Sequence, residues 1–139
     1  MEPPVIAFFV IIMTIALTFA IYVEIKRKHL LSRYWLRACT GKAWKKRFPE
    51  IPNKDIRAFL DIFVNAFLFS CKKKLKFQPD DKIIDIYNAL YPMQGLADAL
   101  ELETFAKNLK KNYGVDLYKV TNNDITLGEL FEMTRKESQ

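Results

Sequence analysis

The chain has 139 residues, 50% of them apolar and 27% charged, and its 22 Lys and Arg against 16 Asp and Glu give a formal charge of +6. This length excludes two large domains, and the apolar fraction excludes a wholly disordered chain. The apolar residues are concentrated at the start, where 17 of the 19 residues in Val5–Val23 are apolar and none is charged. Elsewhere about 44% of the residues are apolar, which is typical of a globular domain.

The first predicted element is a membrane-spanning helix at Val5–Val23. Nineteen residues at about 1.5 Å each cover roughly 28 Å, close to the ~30 Å hydrocarbon core of a bilayer. A cleaved signal peptide is the main alternative, but the sequence lacks its positive N-terminal region and small-residue cleavage site. A buried core helix would usually carry polar residues on one face.

Lys and Arg are absent before this span and frequent after it, which sets the predicted orientation. We expect a single-pass protein of the bacterial inner membrane, with its N-terminus outside and its C-terminal domain in the cytoplasm. Cys39 and Cys71 then lie in a reducing compartment, where structural disulfides are rare. We interpret both as ordinary thiols and expect Cys71 in the core.

Charge is unevenly distributed beyond the span. Residues 25–76 hold 15 Lys and Arg against 3 Asp and Glu, a net charge of +12, whereas residues 77–139 hold 7 against 11, a net charge of −4. An anionic leaflet attracts a juxtamembrane Lys or Arg by about 1 kcal/mol each. We therefore predict a transmembrane anchor at residues 1–24 followed by a basic juxtamembrane segment at 25–52 that lies beside phospholipid.

Within that segment, residues 29–48 have the pattern of an interfacial helix that Gly41 weakens or breaks. Aromatic and basic side chains alternate here, as is usual in the headgroup layer. The predicted membrane-surface residues are Lys26, Arg27, Lys28, Arg33, Trp35, Arg37, Trp44, Lys45, Lys46 and Arg47. Alternatively, the two Trp side chains pack on the soluble domain and the charges are merely solvated. Nucleic acid is a weaker alternative, because a membrane anchor already accounts for the basic residues.

Helical periodicity dominates the remaining sequence. Apolar residues at offsets of three and four predict an amphipathic helix that begins after Asn53 and runs to Cys71, where the lysines of 72–74 end it. The stretch 77–97 is predicted to be a long ordered loop with one short helix at Lys82–Leu90.

Two further helices are predicted near the C-terminus. One begins at or after Asp98 and ends at Gly114, which suits a C′ position. The other begins at Thr126, with Glu129 completing a capping box, and has Leu127, Leu130, Phe131 and Thr134 on its inner face. Because no segment shows period-two alternation, the predicted class is all-α: a transmembrane helix, a basic amphipathic segment and a small helical bundle at 53–139.

Residues 54–136 resemble an acyl carrier protein domain. A long first helix is followed by a loop with Pro79-Asp80-Asp81, then by Asp98-Ala99-Leu100-Glu101 opening a helix that ends at Gly114, and then by Ile125-Thr126 opening the last helix. The resemblance implies the carrier fold. In carriers a serine follows that aspartate and receives phosphopantetheine, but here the position holds Ala99, whose methyl group cannot form the phosphodiester. The loop before Asp98 is also longer than in a standard carrier. No cofactor is therefore expected.

The resemblance also implies a protein-binding surface, because carriers meet their partners through acidic residues on that helix. Asp98, Glu101 and Glu103 are the matching partner-binding residues, and such charges steer association with a basic patch. Alternatively, these acids merely stabilise the helix dipole. Leu100, Leu102 and Phe105 are expected in the core.

Enzyme chemistry is not predicted. His29 is the only histidine and so cannot form a histidine-based triad with a near neighbour, and the cysteines lack the spacing of a zinc site. Thr40-Gly41-Lys42 lacks the first glycine of a phosphate-binding loop. We predict no catalytic residue, metal or small-molecule substrate. The leading functional hypothesis is a membrane-anchored adaptor that binds a partner protein; the alternatives are a protein that binds anionic membrane lipid and a small subunit of a membrane complex.

Overall fold

A computed structural model describes residues 2–93, 99–120 and 122–139, and these ranges contain helices but no strand. The predicted all-α class is therefore confirmed. The α-helices are α1 (Pro3–Trp35), α2 (Gly41–Arg47), α3 (Asn53–Ala66), α4 (Ile83–Leu90), α5 (Leu100–Tyr113) and α6 (Leu127–Glu137), with 3-10 turns at Cys71–Lys76 and Leu117–Lys119.

Helix α1 is long and apolar enough to cross a membrane, and no part of its most apolar window is buried in the protein. Its 33 residues extend for about 50 Å, which exceeds the ~30 Å hydrocarbon core by several turns. Inside the apolar stretch the only polar side chains are Thr14 and Thr18. Their hydroxyls donate to carbonyls in the preceding turn of the same helix, with 2.8 Å between Thr14 Oγ1 and the Val10 oxygen. Both threonine donors of the apolar stretch are therefore satisfied within the helix.

The last turns of α1 belong to the core of the helical domain. Leu31 and Tyr34 are buried, and the Tyr34 ring lies 5.4 Å from the Phe77 ring between centroids. The predicted helix break at Gly41 is wrong, because α1 ends at Trp35 and Gly41 is the first residue of α2. Thr40 fixes this turn: it is buried, and its hydroxyl donates to the Leu75 and Phe77 carbonyls.

Helix α3 ends at Ala66, so the prediction that it continues to Cys71 is wrong. Leu68 takes a left-handed conformation with φ of 58°, and the Phe69 amide donates back to the Val64 carbonyl at 2.8 Å. The Leu68 amide donates to the Asn65 carbonyl as well, and the two bonds close the helix as a Schellman motif does. The chain then reverses into the 3-10 turn, where Cys71 is exposed and therefore not in the core as predicted.

Aromatic side chains form the centre of the core around α3. Phe59 and Phe63 are fully buried on α3, and each lies within ring-contact distance of Phe105 on α5. Phe131 on α6 completes the group, with its centroid 5.2 Å from that of Phe59. Other fully buried aromatic residues are Tyr34, Trp44, Phe67 and Phe77. Residues 31–48 thus contribute to the same core as α3 to α6.

The C-terminal helices begin and end as the sequence predicts. Gly114 has φ of 73° and terminates α5, and α4 matches the predicted short helix within one residue. At the start of α6, the Glu129 amide donates to Thr126 Oγ1 while the Glu129 carboxylate accepts from the Thr126 amide. The four predicted inner-face residues of α6 are all buried.

Candidate functional site: a cleft where helix α1 meets the domain

A cleft of about 470 Å³ lies between α1 and the helical domain, at the end of the apolar stretch. One wall is α1 from Glu24 to Trp35, and the other is the turn at residues 67–70 that follows α3. The remaining lining residues are Lys73, Leu90, Tyr91 and Glu101. The cleft therefore combines apolar walls with a few charged groups of both signs.

Basic side chains line the part of the cleft formed by α1 and the 3-10 turn. Arg27 forms an ion pair with Glu24, and the Lys28 ammonium lies 3.8 Å from the same carboxylate. The Lys73 ammonium lies 4.8 Å above the centre of the Trp35 ring, a cation–π contact. Three cations thus line the cleft against one nearby carboxylate, Glu24, at the point where α1 leaves its apolar stretch.

A second carboxylate, Glu101, lines the cleft from the first turn of α5. Glu101 is only 7% exposed, and the Tyr91 hydroxyl donates to its Oε1. Its Oε2 is buried and has no hydrogen-bond partner in the described part of the chain. An unpaired buried acceptor costs about 1–3 kcal/mol, more if it is charged. Glu101 is therefore the polar group of the cleft that most lacks a partner.

The turn at residues 67–70 places a large apolar side chain in solvent. Leu68 is 83% exposed although its neighbours Phe67 and Phe69 pack inward, and its left-handed backbone is unfavourable for a residue with a branched side chain. Leu68 lines the same cleft as Glu24, the first charged residue after the apolar stretch of α1. Helical periodicity alone places Leu68 on the buried face of α3, so the sequence pattern does not predict that this side chain is exposed.

The predicted partner-binding acids within the described residues are Glu101 and Glu103, whereas Asp98 lies outside them. Glu101 is buried against Tyr91 and faces the cleft, so it does not lie on an exposed acidic surface of the kind through which carriers meet their partners. Glu103 is exposed in the first turn of α5, where stabilisation of the helix dipole accounts for it equally well. Leu100 is 58% exposed rather than in the core, Leu102 is half-buried, and Phe105 is fully buried as predicted.

The position that carries the serine in acyl carriers is built differently here. Ala99 caps the N-terminus of α5 with φ of 58°, and its amide donates to the Tyr87 hydroxyl at 3.1 Å. An apolar cleft of about 350 Å³ lies nearby, lined by residues of α4, α5 and the 3-10 turn at Leu117–Lys119. The methyl side chain of Ala99 offers no nucleophile, either at the N-terminus of α5 or toward this apolar cleft.

The predicted membrane-surface residues divide into two groups. Lys26, Arg27, Lys28 and Arg33 lie along α1, and Trp35 is half-buried against Phe69 and Phe77. Trp44 is 1% exposed and donates its indole N–H to the Phe77 carbonyl, so its prediction as a headgroup-layer residue is wrong.

The basic run of α2 lies at the other end of α3 from the cleft. Lys45 lines a small pocket with Asn53 and Ile56 at the start of α3, about 20 Å along that helix from Phe67 and Leu68. Lys45 donates to the Ile51 carbonyl, and Arg47 pairs with Asp80 at 3.1 Å. The side chains of Lys45 and Arg47 are therefore bound to other parts of the protein.

Arg37 joins the end of α1 to the loop before α4. Its two terminal nitrogens donate to Asp81 at 2.6 and 2.8 Å, and Asp81 also accepts from the Gln78 amide. Hydrogen bonding to Asp81 raises the pKa of Arg37. The prediction that Arg37 contacts lipid is therefore wrong. Arg37 instead fixes α1 to the domain.

The cleft offers charged groups of both signs beside apolar surface. The described residues contain no group of three or more His, Cys, Asp or Glu side chains that could hold a metal ion. His29, the single histidine of the sequence, is exposed on α1. Comparison of the chain with protein-family models, with curated proteins and with solved structures found no match.

Proposed function

We propose that this is a single-pass membrane protein whose helical domain is held on the bilayer surface as a non-catalytic module that binds anionic phospholipid. The observation that carries the proposal is the continuity of α1, which runs without a break from an exposed apolar stretch into the domain core at Leu31 and Tyr34. The domain therefore has no flexible linker along which it could leave the membrane.

The dimensions support this placement. Leu31 follows Val23 by eight residues, which is about 12 Å of helix. The headgroup region adds roughly 5–8 Å to each side of the hydrocarbon core. With Val23 at the edge of the hydrocarbon core, Arg27 and Lys28 reach the headgroups while Leu31 is already covered by protein.

The same continuity favours an anchor over a removed signal sequence. The residues around the end of the apolar stretch are Ile21, Tyr22, Val23, Glu24 and Ile25, none of them small, and all are helical. A signal-peptide cleavage site needs small residues. With the anchor retained, the three cations of the cleft lie beside the bilayer.

A vesicle-binding measurement tests the proposal. A fragment of residues 24–139 keeps the part of α1 that enters the core, and we expect it to co-sediment with vesicles containing phosphatidylglycerol. Raising salt from 0.1 M to 1 M shortens the Debye length from about 10 Å to about 3 Å and should release it. Far-UV circular dichroism first establishes that the fragment is helical.

Two triple variants of equal charge locate the binding surface. Arg27→Gln/Lys28→Gln/Lys73→Gln should weaken vesicle binding strongly, whereas Lys42→Gln/Lys45→Gln/Lys46→Gln should change it little. Both remove three positive charges, so long-range attraction falls equally in each. Equal losses in the two variants would refute a specific lipid-facing side.

An adaptor with an acyl-carrier-like domain is the second candidate. It is supported by the order of α3, α5 and α6 and by the glycine that ends α5, but the burial of Glu101 removes one of its predicted contacts. Incubation with coenzyme A and a broad-specificity phosphopantetheinyl transferase should give no adduct in the intact mass. A stoichiometric adduct would show that a working carrier site exists elsewhere in the chain.

A further inference from the structure

We infer that the cleft between α1 and the turn at residues 67–70 binds one phospholipid headgroup that carries both a phosphate and a primary ammonium, as phosphatidylethanolamine does. The inference rests on the proposed function, because the cleft must open at the bilayer surface. It goes further in naming one site and one zwitterionic headgroup, which binds at the surface that the basic residues hold against anionic lipid.

The distribution of charge in the cleft selects this class. Arg27, Lys28 and Lys73 offer cations to a phosphate. Glu24 already pairs with Arg27 and lies 3.8 Å from the Lys28 ammonium, so Glu101 is the carboxylate that remains for a group of opposite sign. A headgroup that is only anionic would pair with the cations but would leave Oε2 of Glu101 without a hydrogen bond. A zwitterionic headgroup satisfies both kinds of group at once.

The unpaired oxygen of Glu101 selects among zwitterionic headgroups. Tyr91 already donates to Oε1, so Oε2 is the acceptor that remains. A primary ammonium has three N–H donors, as a lysine ammonium does, whereas the quaternary ammonium of choline has none. Oε2 is closed to water in the structure, so rotation of the Glu101 side chain toward the cleft accompanies binding. The ammonium then supplies the missing hydrogen bond.

The shape of the cleft suits a lipid rather than a free headgroup. Its volume of about 470 Å³ lies within the ~300–1,000 Å³ usual for small-molecule sites. Leu68, Phe69 and Leu90 line it beside the charged groups, and they offer apolar surface to the first carbons of acyl chains. A soluble phosphoethanolamine molecule would leave that surface without a partner.

Lipid binding to the full-length protein in detergent, measured by native mass spectrometry, tests the site. The lipid probes are phosphatidylethanolamine, its mono- and dimethylated forms, phosphatidylcholine and phosphatidylglycerol, all with the same acyl chains, and free phosphoethanolamine is the soluble probe. We expect phosphatidylethanolamine to bind about tenfold more tightly than phosphatidylcholine, because one charge-assisted hydrogen bond separates them. Affinity should fall most when the third methyl group removes the last N–H donor, and free phosphoethanolamine should bind least. This series uses the wild-type chain, so its result does not depend on the folding of a variant.

Three single variants assign the effect to residues. Glu101→Gln should abolish the preference for phosphatidylethanolamine over phosphatidylcholine, whereas Glu103→Gln, on the exposed side of the same helix, should preserve it. Lys73→Gln should weaken all the phospholipids, because it acts on the phosphate that they share.

Each alternative outcome overturns the inference. Equal binding of phosphatidylethanolamine and phosphatidylcholine, or a preference that survives Glu101→Gln, would show that Glu101 does not bind the headgroup ammonium. Binding of free phosphoethanolamine as tight as that of the lipid would make the occupant a soluble molecule. Failure of the proposed function looks different: the headgroup preference in detergent would remain while the fragment failed to bind anionic vesicles.

Discussion

The ion pair between Arg37 and Asp81 holds the end of α1 against the domain, and removing one partner should destabilise the fold. The Asp81 side chain is 6% exposed and that of Arg37 is 23% exposed. Asp81→Asn keeps the shape of the side chain, but it removes the negative charge and turns one acceptor into a donor. Whichever oxygen is replaced, that donor faces an Arg37 N–H, and at the Oδ2 position it also faces the Gln78 amide.

The magnitude follows from this geometry. Removing one member of a fully buried ion pair costs about 3–5 kcal/mol. Because Arg37 retains some exposure, part of its charge is hydrated in the variant, and we expect a loss of about 2–3 kcal/mol. For a domain of this size that loss lowers the Tm by about 10 °C.

Thermal unfolding of the full-length chain in detergent, followed by circular dichroism, measures the effect. Asp80→Asn is the matched control, because Asp80 is 83% exposed and its pair with Arg47 lies at the surface. A surface pair contributes about 0–1 kcal/mol. If Asp81→Asn lowers the Tm no more than Asp80→Asn does, Arg37 and Asp81 do not fasten α1 to the domain.

Three other substitutions test separate parts of the structure. Gly128→Ala should lower the free energy of unfolding by about 1–3 kcal/mol, because the new Cβ would lie 2.9 Å from Pro79 Cβ and 2.6 Å from an Arg47 nitrogen. In the same thermal unfolding assay, Gly41→Ala should be nearly neutral, because the nearest atom to its new Cβ is 3.6 Å away. Leu68→Gly should raise the Tm in detergent, because glycine relieves the left-handed backbone, while it weakens vesicle binding by removing apolar contact; a lower Tm would contradict the backbone argument. Hydrogen bonds from the Thr126 amide and hydroxyl lower the pKa of Glu129, so its contribution to stability is present above the unfolded-state value of 4.5 and is lost as the pH falls through the folded-state value. Unfolding of wild type and Glu129→Gln across pH 2–7 should therefore differ at neutral pH and converge in acid, and a constant difference would exclude this linkage.

Local sequence signals predicted the C-terminal helices because local interactions determine their ends. The capping box of Thr126 and Glu129 closes within four residues, and Gly114 supplies the positive φ that ends α5. Neither requires knowledge of the rest of the fold. The apolar stretch of α1 is equally local, since its length and composition alone suit a bilayer.

Tertiary contacts explain the predictions that were wrong. The apolar pattern of α3 continues past Ala66, but the turn at Leu68 ends the helix and exposes that side chain. Trp44 has basic neighbours typical of a headgroup-layer residue, yet a hydrogen bond to Phe77 and packing against Phe131 place it in the core. Burial of Glu101 depends on Tyr91, ten residues away. The cleft itself joins Glu24, Lys73 and Glu101, which no local pattern associates.

The depth of residue 68 in a bilayer tests the central claim most directly. With Cys39 and Cys71, both exposed, replaced by serine, a spin label is placed at Leu68→Cys or at Lys46→Cys in the full-length chain reconstituted into nanodiscs. We predict that the label at position 68 is more accessible to oxygen, which partitions into lipid, while the label at position 46 is more accessible to a water-soluble nickel complex. Equal accessibility of both labels to the nickel complex would contradict the placement of the domain on the bilayer surface.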